Sequence, residues 1–284
     1  MKSLKIILDK AAQRLVSIAQ NPQREVRLLA AHVLRTAYED IYFGEDRLLK
    51  DEEESHFNAL LDRRLKHEPL SKIIEFREFW SLPFRVTADT LDPRPDSETL
   101  IEAVLAHYPN KEQCLRILDL GTGTGCLLLS LIHEYPNSWG IGIDSSEAAT
   151  YIAQENAFRL HLEERAKFIV GEWGNALSGC FDIIVSNPPY ISHTELLPTE
   201  VAEYDPDLAL YAGKDGLDSY HALAKQIPNL ITLESKIFLE IGEGQINSVK
   251  SIFSPYILLQ TKQDLADKNR CLIFCMETMP VVRA

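Results

Sequence analysis

Ile117-Leu118-Asp119-Leu120-Gly121-Thr122-Gly123-Thr124-Gly125-Cys126-Leu127-Leu128-Leu129-Ser130-Leu131-Ile132 decides how this chain folds. An apolar run of strand length stops at glycines spaced G-x-G-x-G, and an apolar run of helical length follows at once. Glycine permits the sharp turn and leaves room for a ligand to approach the main chain. The spacing is not the G-x-G-x-x-G of dinucleotide sites, and no Gly-Lys-Ser/Thr follows to make a phosphate loop. Asp119, just before the loop, is a candidate to receive a cationic group.

Outward from this unit, strands and helices alternate. Residues 115–120, 139–143, 167–170, 181–185, 236–241, 256–260 and 271–274 read as strands, and 126–134, 147–160, 217–230 and 245–252 as helices. Such alternation predicts an α/β fold with a mostly parallel sheet covered on both faces, its ligands at the carboxyl ends of the strands. The second strand ends in Asp144, where a ribose diol would lie. After the third strand come Glu172 and Trp173, an acid and an aromatic able to border an adenine. Together these residues fit an adenosine cofactor held without a phosphate anchor, which describes S-adenosylmethionine. NAD(P) shares the ribose acid but not the loop spacing, and no hydride-acceptor constellation accompanies it.

The fourth strand runs into Ser186-Asn187-Pro188-Pro189-Tyr190. Both prolines have fixed φ and no N–H, so the chain cannot pair further and presents carbonyls and side chains to a cleft. A lone Asn-Pro is ordinarily just a strand-ending turn. Beside an electrophilic methyl sulfonium it acquires chemistry. A planar NH2 group bonded to the Asn187 side-chain oxygen and the Pro188 carbonyl would be oriented for attack, with Tyr190 stacked on its face. No dedicated general base is required, because the nitrogen becomes a strong acid only once methylated.

Before the α/β region the pattern is helical. Leu4, Ile7, Leu8, Ala11, Leu15 and Ile18 form one apolar stripe. Asn21-Pro22 reads as an N-cap with proline at the first helical position, opening a second stripe from Val26 to Ala37. A third helix spans roughly 52–67. Ile73-Ile74, Phe76, Phe79-Trp80, Phe84 and Val86 are β-formers around Ser81-Leu82-Pro83, which predicts a connecting hairpin. The proline-stiffened run 91–98 follows, with Asp96 or Ser97 available to cap the helix over 98–107. These readings divide the chain into a helical domain at 1–70, a β-hairpin connector at 71–95 and a catalytic domain at 96–284.

The 284 residues, 45% hydrophobic, suffice for a sizeable core. With no apolar stretch of membrane-spanning length and no signal-peptide pattern, the expectation is a soluble, cytoplasmic protein without a membrane partner. The five cysteines form no C-x-x-C pair and are expected to be reduced core thiols, with no metal site. Net charge is −13, and residues 1–82 carry 14 basic and 14 acidic side chains, so the excess of negative charge belongs to the rest. An acidic catalytic region repels phosphate backbones, which argues against a direct nucleic-acid partner.

Asp119-Leu120-Gly121-Thr122-Gly123-Thr124-Gly125, the Asp144 strand end and Asn187-Pro188-Pro189-Tyr190 resemble the class I S-adenosylmethionine-dependent methyltransferases acting on exocyclic or amide nitrogens. Arg77-Glu78-Phe79-Trp80, Pro93-Arg94-Pro95-Asp96-Ser97-Glu98, Asp215-Gly216-Leu217-Asp218 and Leu239-Glu240-Ile241-Gly242 narrow the resemblance to the HemK/PrmC protein-glutamine methyltransferases. The resemblance implies a Rossmann-like, seven-stranded, mostly parallel sheet with a small helical N-terminal domain and hairpin connector. It implies methyl transfer from S-adenosyl-L-methionine, leaving S-adenosyl-L-homocysteine, to the N5 of the glutamine in the Gly-Gly-Gln motif of peptide-chain release factors. It also implies cofactor contacts at Gly121, Thr122, Gly123, Thr124, Gly125, Asp144, Trp173 and Asn187, the substrate amide on Asn187, Pro188, Pro189 and Tyr190, and the release factor held by the N-terminal helices. Asn187, Pro188 and Tyr190 would be the catalytic residues. Lys72, Glu75, Asp92, Glu172 and Glu234-Ser235 depart from the family pattern. The alternative is a nucleic-acid amino-group methyltransferase acting on adenine N6, cytosine N4 or guanine N2, because the same loop can grip any planar NH2. That chemistry calls for base flipping and a basic recognition surface, and no Lys/Arg-rich stretch is present. A non-enzymatic cofactor-binding regulator would be favoured by a degenerate acceptor loop, and this one is intact.

Overall fold

The computed structural model describes residues 2–175 and 177–276. The chain forms two compact units: the stretch up to Phe76 together with Leu197–Tyr204, and Arg77–Leu196 together with the chain from Asp205 onward.

The first unit is helical. α1 (Leu4–Leu15) buries Leu4, Ile7, Leu8, Ala11 and Leu15, the face that the spacing of its apolar residues predicts. In α2 (Pro22–Leu34) the Asn21 side chain accepts from the Arg24 N–H at 3.1 Å, with proline following the cap as expected. α3 (Tyr38–Phe43) is followed by α4 (Asp51–Arg64), which opens on a run of acids and ends on Arg63 and Arg64, complementing the helix dipole. α5 (Leu70–Ile74) corrects the reading of Ile73-Ile74 as strand residues: Pro69 caps this helix, and Glu75 ends it in the left-handed region at φ 51°. Arg64 is buried, pairing with Glu25 at 2.7 Å and with Glu200 at 2.9 Å.

The second unit begins with the hairpin β1 (Arg77–Phe79) and β2 (Leu82–Phe84). Its turn is Trp80-Ser81, both at positive φ, as a two-residue hairpin loop requires; Pro83 lies within β2 instead of in the turn. A 3-10 turn, Pro95–Ser97, leads into α6 (Glu98–His107), and neither Asp96 nor Ser97 supplies the expected side-chain cap. There follow β3 (Arg116–Leu120), α7 (Cys126–Glu134), β4 (Trp139–Asp144), α8 (Glu147–Arg159), β5 (Ala166–Val170) and β6 (Phe181–Ser186). After α9 (Thr199–Ala202), which belongs to the first unit, come α10 (Asp207–Leu210), α11 (Asp218–Gln226), β7 (Ile231–Glu240), α12 (Ile246–Ile252), β8 (Tyr256–Gln263) and β9 (Asn269–Met276).

Seven strands make one sheet in the order β5-β4-β3-β6-β7-β9-β8, parallel except for β9, which runs antiparallel between β7 and β8. Alternation along each strand feeds two cores. On β6, Ile183 and Val185 join α6 and α7 on one face, while Ile184 joins α11 and α12 on the other. β7 starts earlier than 236 because a register irregularity opposite Phe181 lengthens it, and Ser235 Oγ donates to the Phe181 carbonyl there at 2.6 Å. The cysteines do not all sit in the core: Cys271 is buried, Cys114 is exposed, and Cys126, Cys180 and Cys275 are half-buried, all of them free. No helix among the described residues is long and apolar enough to cross a membrane.

Candidate functional site

Strand order reverses between β3 and β6, since β4 and β5 extend the sheet one way and β7, β9 and β8 the other. At such a reversal the loops leaving neighbouring carboxyl ends splay apart and open a crevice. Here the crevice is a pocket of about 520 Å³ bordered by Gly121 and Gly123 after β3, Asp144 at the end of β4, Trp173 after β5, and Asn187 and Pro189 after β6.

The glycine loop crosses over the end of β4. Gly121 and Thr122 both donate backbone N–H bonds to the Ile143 carbonyl at 2.9 Å. Gly123 has φ +53°, and a Cβ built there meets nothing within 4 Å, so the backbone faces open space on the pocket side. Its N–H donates to Asp144 Oδ2 at 2.9 Å, and the Ser146 N–H donates to Oδ1 at 2.9 Å. Burial nonetheless raises the Asp144 carboxyl above its ordinary range, against those backbone bonds. Each carboxylate oxygen has a second acceptor direction, so Asp144 keeps capacity for a diol.

Of the residues expected at the cofactor, Gly121, Gly123, Asp144, Trp173 and Asn187 line this pocket. Thr122 and Thr124 are buried beneath the loop and do not border it. Thr122 Oγ1 donates to Asp119 Oδ2 at 2.7 Å, while the Thr124 carbonyl accepts from Asn156 Nδ2 at 2.9 Å. Gly125 is a packing glycine: an added Cβ would lie 3.2 Å from Ala153, Leu129 and Phe168. Asp119 is wholly buried and does not border the pocket, which corrects its reading as a receptor for a cationic group. Burial pushes its carboxyl up to about 7, with the Thr122 hydroxyl opposing, and Oδ1 has no partner.

At the acceptor strand end, Asn187 and Pro189 reach the pocket while Pro188 is buried. Asn187 Nδ2 donates to Ser97 Oγ at 3.0 Å. Tyr190, expected as a stacking platform, is half-buried and is not among the residues bordering the pocket. Its hydroxyl points to Glu240 Oε1 at 3.4 Å, its carbonyl accepts from Gln245 Nε2 at 2.9 Å, and burial raises its phenol. Gly216, at φ +76°, passes so close that a Cβ would lie 2.3 Å from the Tyr190 carbonyl oxygen.

Sequence reasoning missed the rest of the wall. Asp89, Thr90 and Leu91 border the pocket from the connector side, and Leu208, Ala209 and Tyr211 from the segment around α10. Tyr211 is placed by a bridge to Ile191, just past the acceptor motif. Asp89, Asp144 and Glu172 are its charged lining residues, and the lining includes no Lys, Arg or His among the described residues. An acid-lined pocket suits a ligand carrying positive charge and is poorly matched to a pyrophosphate.

Comparison with known proteins agrees with this architecture. The family described as PrmC N-terminal domain matches residues 7–74, and the family described as Methyltransferase domain matches residues 111–266. A release factor glutamine methyltransferase of Rhodospirillum rubrum is 44% identical over 94% of this chain and 83% of its own length. Its namesake in Bradyrhizobium diazoefficiens is 37% identical over 87% of this chain and 85% of its own length. Among solved structures, a ribosomal protein L11 methylase of Lactobacillus delbrueckii subsp. bulgaricus covers 67% of this chain and 82% of its own, with 14% identity and a TM-score of 0.50, a likeness of fold.

Proposed function

The chain belongs to the HemK/PrmC family of release factor glutamine methyltransferases and has the class I methyltransferase fold, and from that premise we propose that it methylates a glutamine side-chain amide of peptide-chain release factors. The methyl donor is S-adenosylmethionine, and the acceptor is N5 of the glutamine in a Gly-Gly-Gln motif. One observation carries this reading: Asn187 and Asp144 border the same pocket, and among the described residues that pocket has acids but no bases in its lining.

S-adenosylmethionine would be held by the backbone at Gly121 and Gly123, by Asp144 toward its ribose and by Trp173 beside its base, and when bound it supplies an electrophilic methyl on a sulfonium. The acids of the lining favour that positive charge over a phosphate-bearing cofactor. Asn187 accepts a hydrogen bond from the substrate NH2, as does the Pro188 carbonyl, and together they fix the direction of the nitrogen lone pair. An amide nitrogen is a weak nucleophile because its lone pair is delocalised. These acceptors bind it more strongly as it becomes tetrahedral and positively charged, so they act in the transition state. The C–N amide bond is retained, the methyl–sulfur bond breaks as the methyl–nitrogen bond forms, and one nitrogen proton leaves to water. The helical unit, which takes in the expected 1–70 domain and extends to Phe76 with Leu197–Tyr204, holds the release factor, and the second unit carries the chemistry.

The test incubates the protein and labelled cofactor separately with a release factor, with the same factor carrying Gln→Ala in its Gly-Gly-Gln loop, and with bulk RNA or DNA. Label on the intact release factor alone is the expected result. Label on the Gln→Ala form or on nucleic acid overturns the reading.

A further inference from the structure

Past the acceptor motif the chain pairs again. Ile191 and Tyr211 form a parallel bridge, in which the Ile191 N–H donates to the Leu210 carbonyl at 3.0 Å and the Ala212 N–H donates to the Ile191 carbonyl at 2.9 Å. Two residues on, the His193 N–H donates to the Gly213 carbonyl at 3.1 Å, and Ser192 Oγ donates to the Lys214 carbonyl at 2.7 Å. The Tyr211 N–H closes α10 by donating to the Asp207 carbonyl at 3.0 Å. Residues 191–193 and 210–214 thus make one short ladder, and its register is set two residues after Pro189.

That ladder fixes where an aromatic ring stands. Among the described residues, Trp173 and Tyr211 are the aromatic ones that line the pocket. Trp173 belongs to the cofactor end, since a Cβ built on Gly121 would lie 3.8 Å from its ring. Tyr211 leaves the ladder beside the acceptor strand end, where Asn187 and Pro189 also border the pocket. Its ring stacks on the His193 imidazole, with centroids 5.0 Å apart and an interplanar angle of 21°. A stack of this kind occupies one face of the ring and holds its plane. Tyr190 is otherwise committed: it packs against the core that contains Tyr220, Leu239 and Ile241, and a Cβ on Gly242 would lie 3.0 Å from its Cδ2.

The chemistry asks for such a face. The lone pair of an amide nitrogen stands perpendicular to the amide plane, so the methyl arrives on one face and the other is left to be supported. The nitrogen gains positive charge as the methyl–nitrogen bond forms, and the negative face of an aromatic ring favours that charge most in the transition state. We propose that Tyr211, its ring braced by His193, is the aromatic face on which the acceptor amide lies during methyl transfer, the task expected of Tyr190. Tyr211 is then a substrate contact and His193 a positioning residue. The inference rests on the reading of the site as one that methylates a glutamine amide.

The test measures kcat, KM for a release factor, cofactor affinity and thermal stability for wild type, Tyr211→Phe, Tyr211→Leu, His193→Ala and His193→Phe. Tyr211→Leu keeps an apolar side chain but removes the ring, and should lower kcat about ten-fold with cofactor affinity unchanged. Tyr211→Phe keeps the face and should retain activity. His193 is exposed, so His193→Ala should leave stability unchanged while lowering kcat about three-fold, and His193→Phe, which restores a stacking ring, should recover it. An unchanged kcat in Tyr211→Leu overturns the inference. So does a loss of cofactor affinity in step with kcat, which would put the ring against the cofactor, and so does a Tyr211→Phe as impaired as Tyr211→Leu. If Tyr211→Leu does not fold, His193→Ala decides, and full kcat in that variant overturns the inference. A wild type that labels no release factor overturns the functional reading itself, whereas an active wild type matched by Tyr211→Leu overturns only the inference.

Discussion

Arg94 Nη2 lies 2.5 Å from Asp205 Oδ2, joining residues 111 positions apart, and the Asp205 side chain is wholly buried while Arg94 is partly exposed. The other Asp205 oxygen accepts the Asp92 backbone N–H at 3.2 Å. Together these bonds pin the proline-stiffened run 91–98 to the chain entering Pro206–Tyr211, which walls the pocket. Arg94→Ala removes one charge-assisted hydrogen bond to a buried carboxylate. It should cost about 1.5–3 kcal/mol in denaturant unfolding, with an unchanged slope, the size of a hydrogen bond to a charged group.

Asn187 and Asp144 border one pocket but should separate in a mutant comparison. Asn187→Ala should reduce methyl transfer about 10²-fold while leaving cofactor affinity nearly unchanged, by analogy with the loss of one preorganised hydrogen bond. Asp144→Ala should instead weaken cofactor binding at least about ten-fold, because it also releases the Gly123 N–H. Calorimetric titration beside a methyl-transfer assay checks both, and retained activity in Asn187→Ala sinks its assigned role.

Gly216→Ala places a methyl group against the Tyr190 carbonyl at a φ of +76°. Stability should fall by about 1–3 kcal/mol from backbone strain. Because that carbonyl also accepts from Gln245, the acceptor loop should shift and kcat should drop more than cofactor affinity. Equal stability of the two proteins in thermal unfolding would contradict the close approach.

Asp119 makes a prediction about pH. Burial holds its carboxyl at about 7 in the folded chain, well above the unfolded value, so between those values the folded state binds the extra proton. Folded stability is therefore favoured at low pH and declines as pH rises toward 7, by at most about 1.4 kcal/mol per pH unit from this group. Asp119→Asn keeps the shape without the titration. Thermal unfolding across pH 4–8 should show a shallower decline for the variant, with the contribution of Glu240 remaining.

The sheet was readable because its strands are continuous apolar runs broken by glycine, and α7 matches its expected limits for the same reason. The elements that escaped are short ones decided by single residues. Ile73-Ile74 is β-branched, yet five residues between Pro69 and the left-handed Glu75 close a helical turn, and packing against the first unit's core outweighs their propensity. At the site, the loops at Gly121, Asp144 and Asn187 were legible from spacing. Ser97 was not, since it meets Asn187 across 90 residues and its own neighbourhood reads as a helix cap. Glu240 fell within a quoted motif, but only the fold reveals a carboxylate closed off beside Tyr190.

The return of Leu197–Tyr204 to the helical unit bears on ancestry and on fragment engineering. Glu200 answers Arg64, and the Tyr204 hydroxyl donates to the Lys66 carbonyl at 2.8 Å, so the helical unit is completed by a segment encoded downstream of the acceptor motif. A gene fusion that exchanged only the upstream helices would leave this clasp without its socket. Recombination within the family is thus expected to carry the two pieces together, and a protease nick after Phe76 should release no free helical fragment.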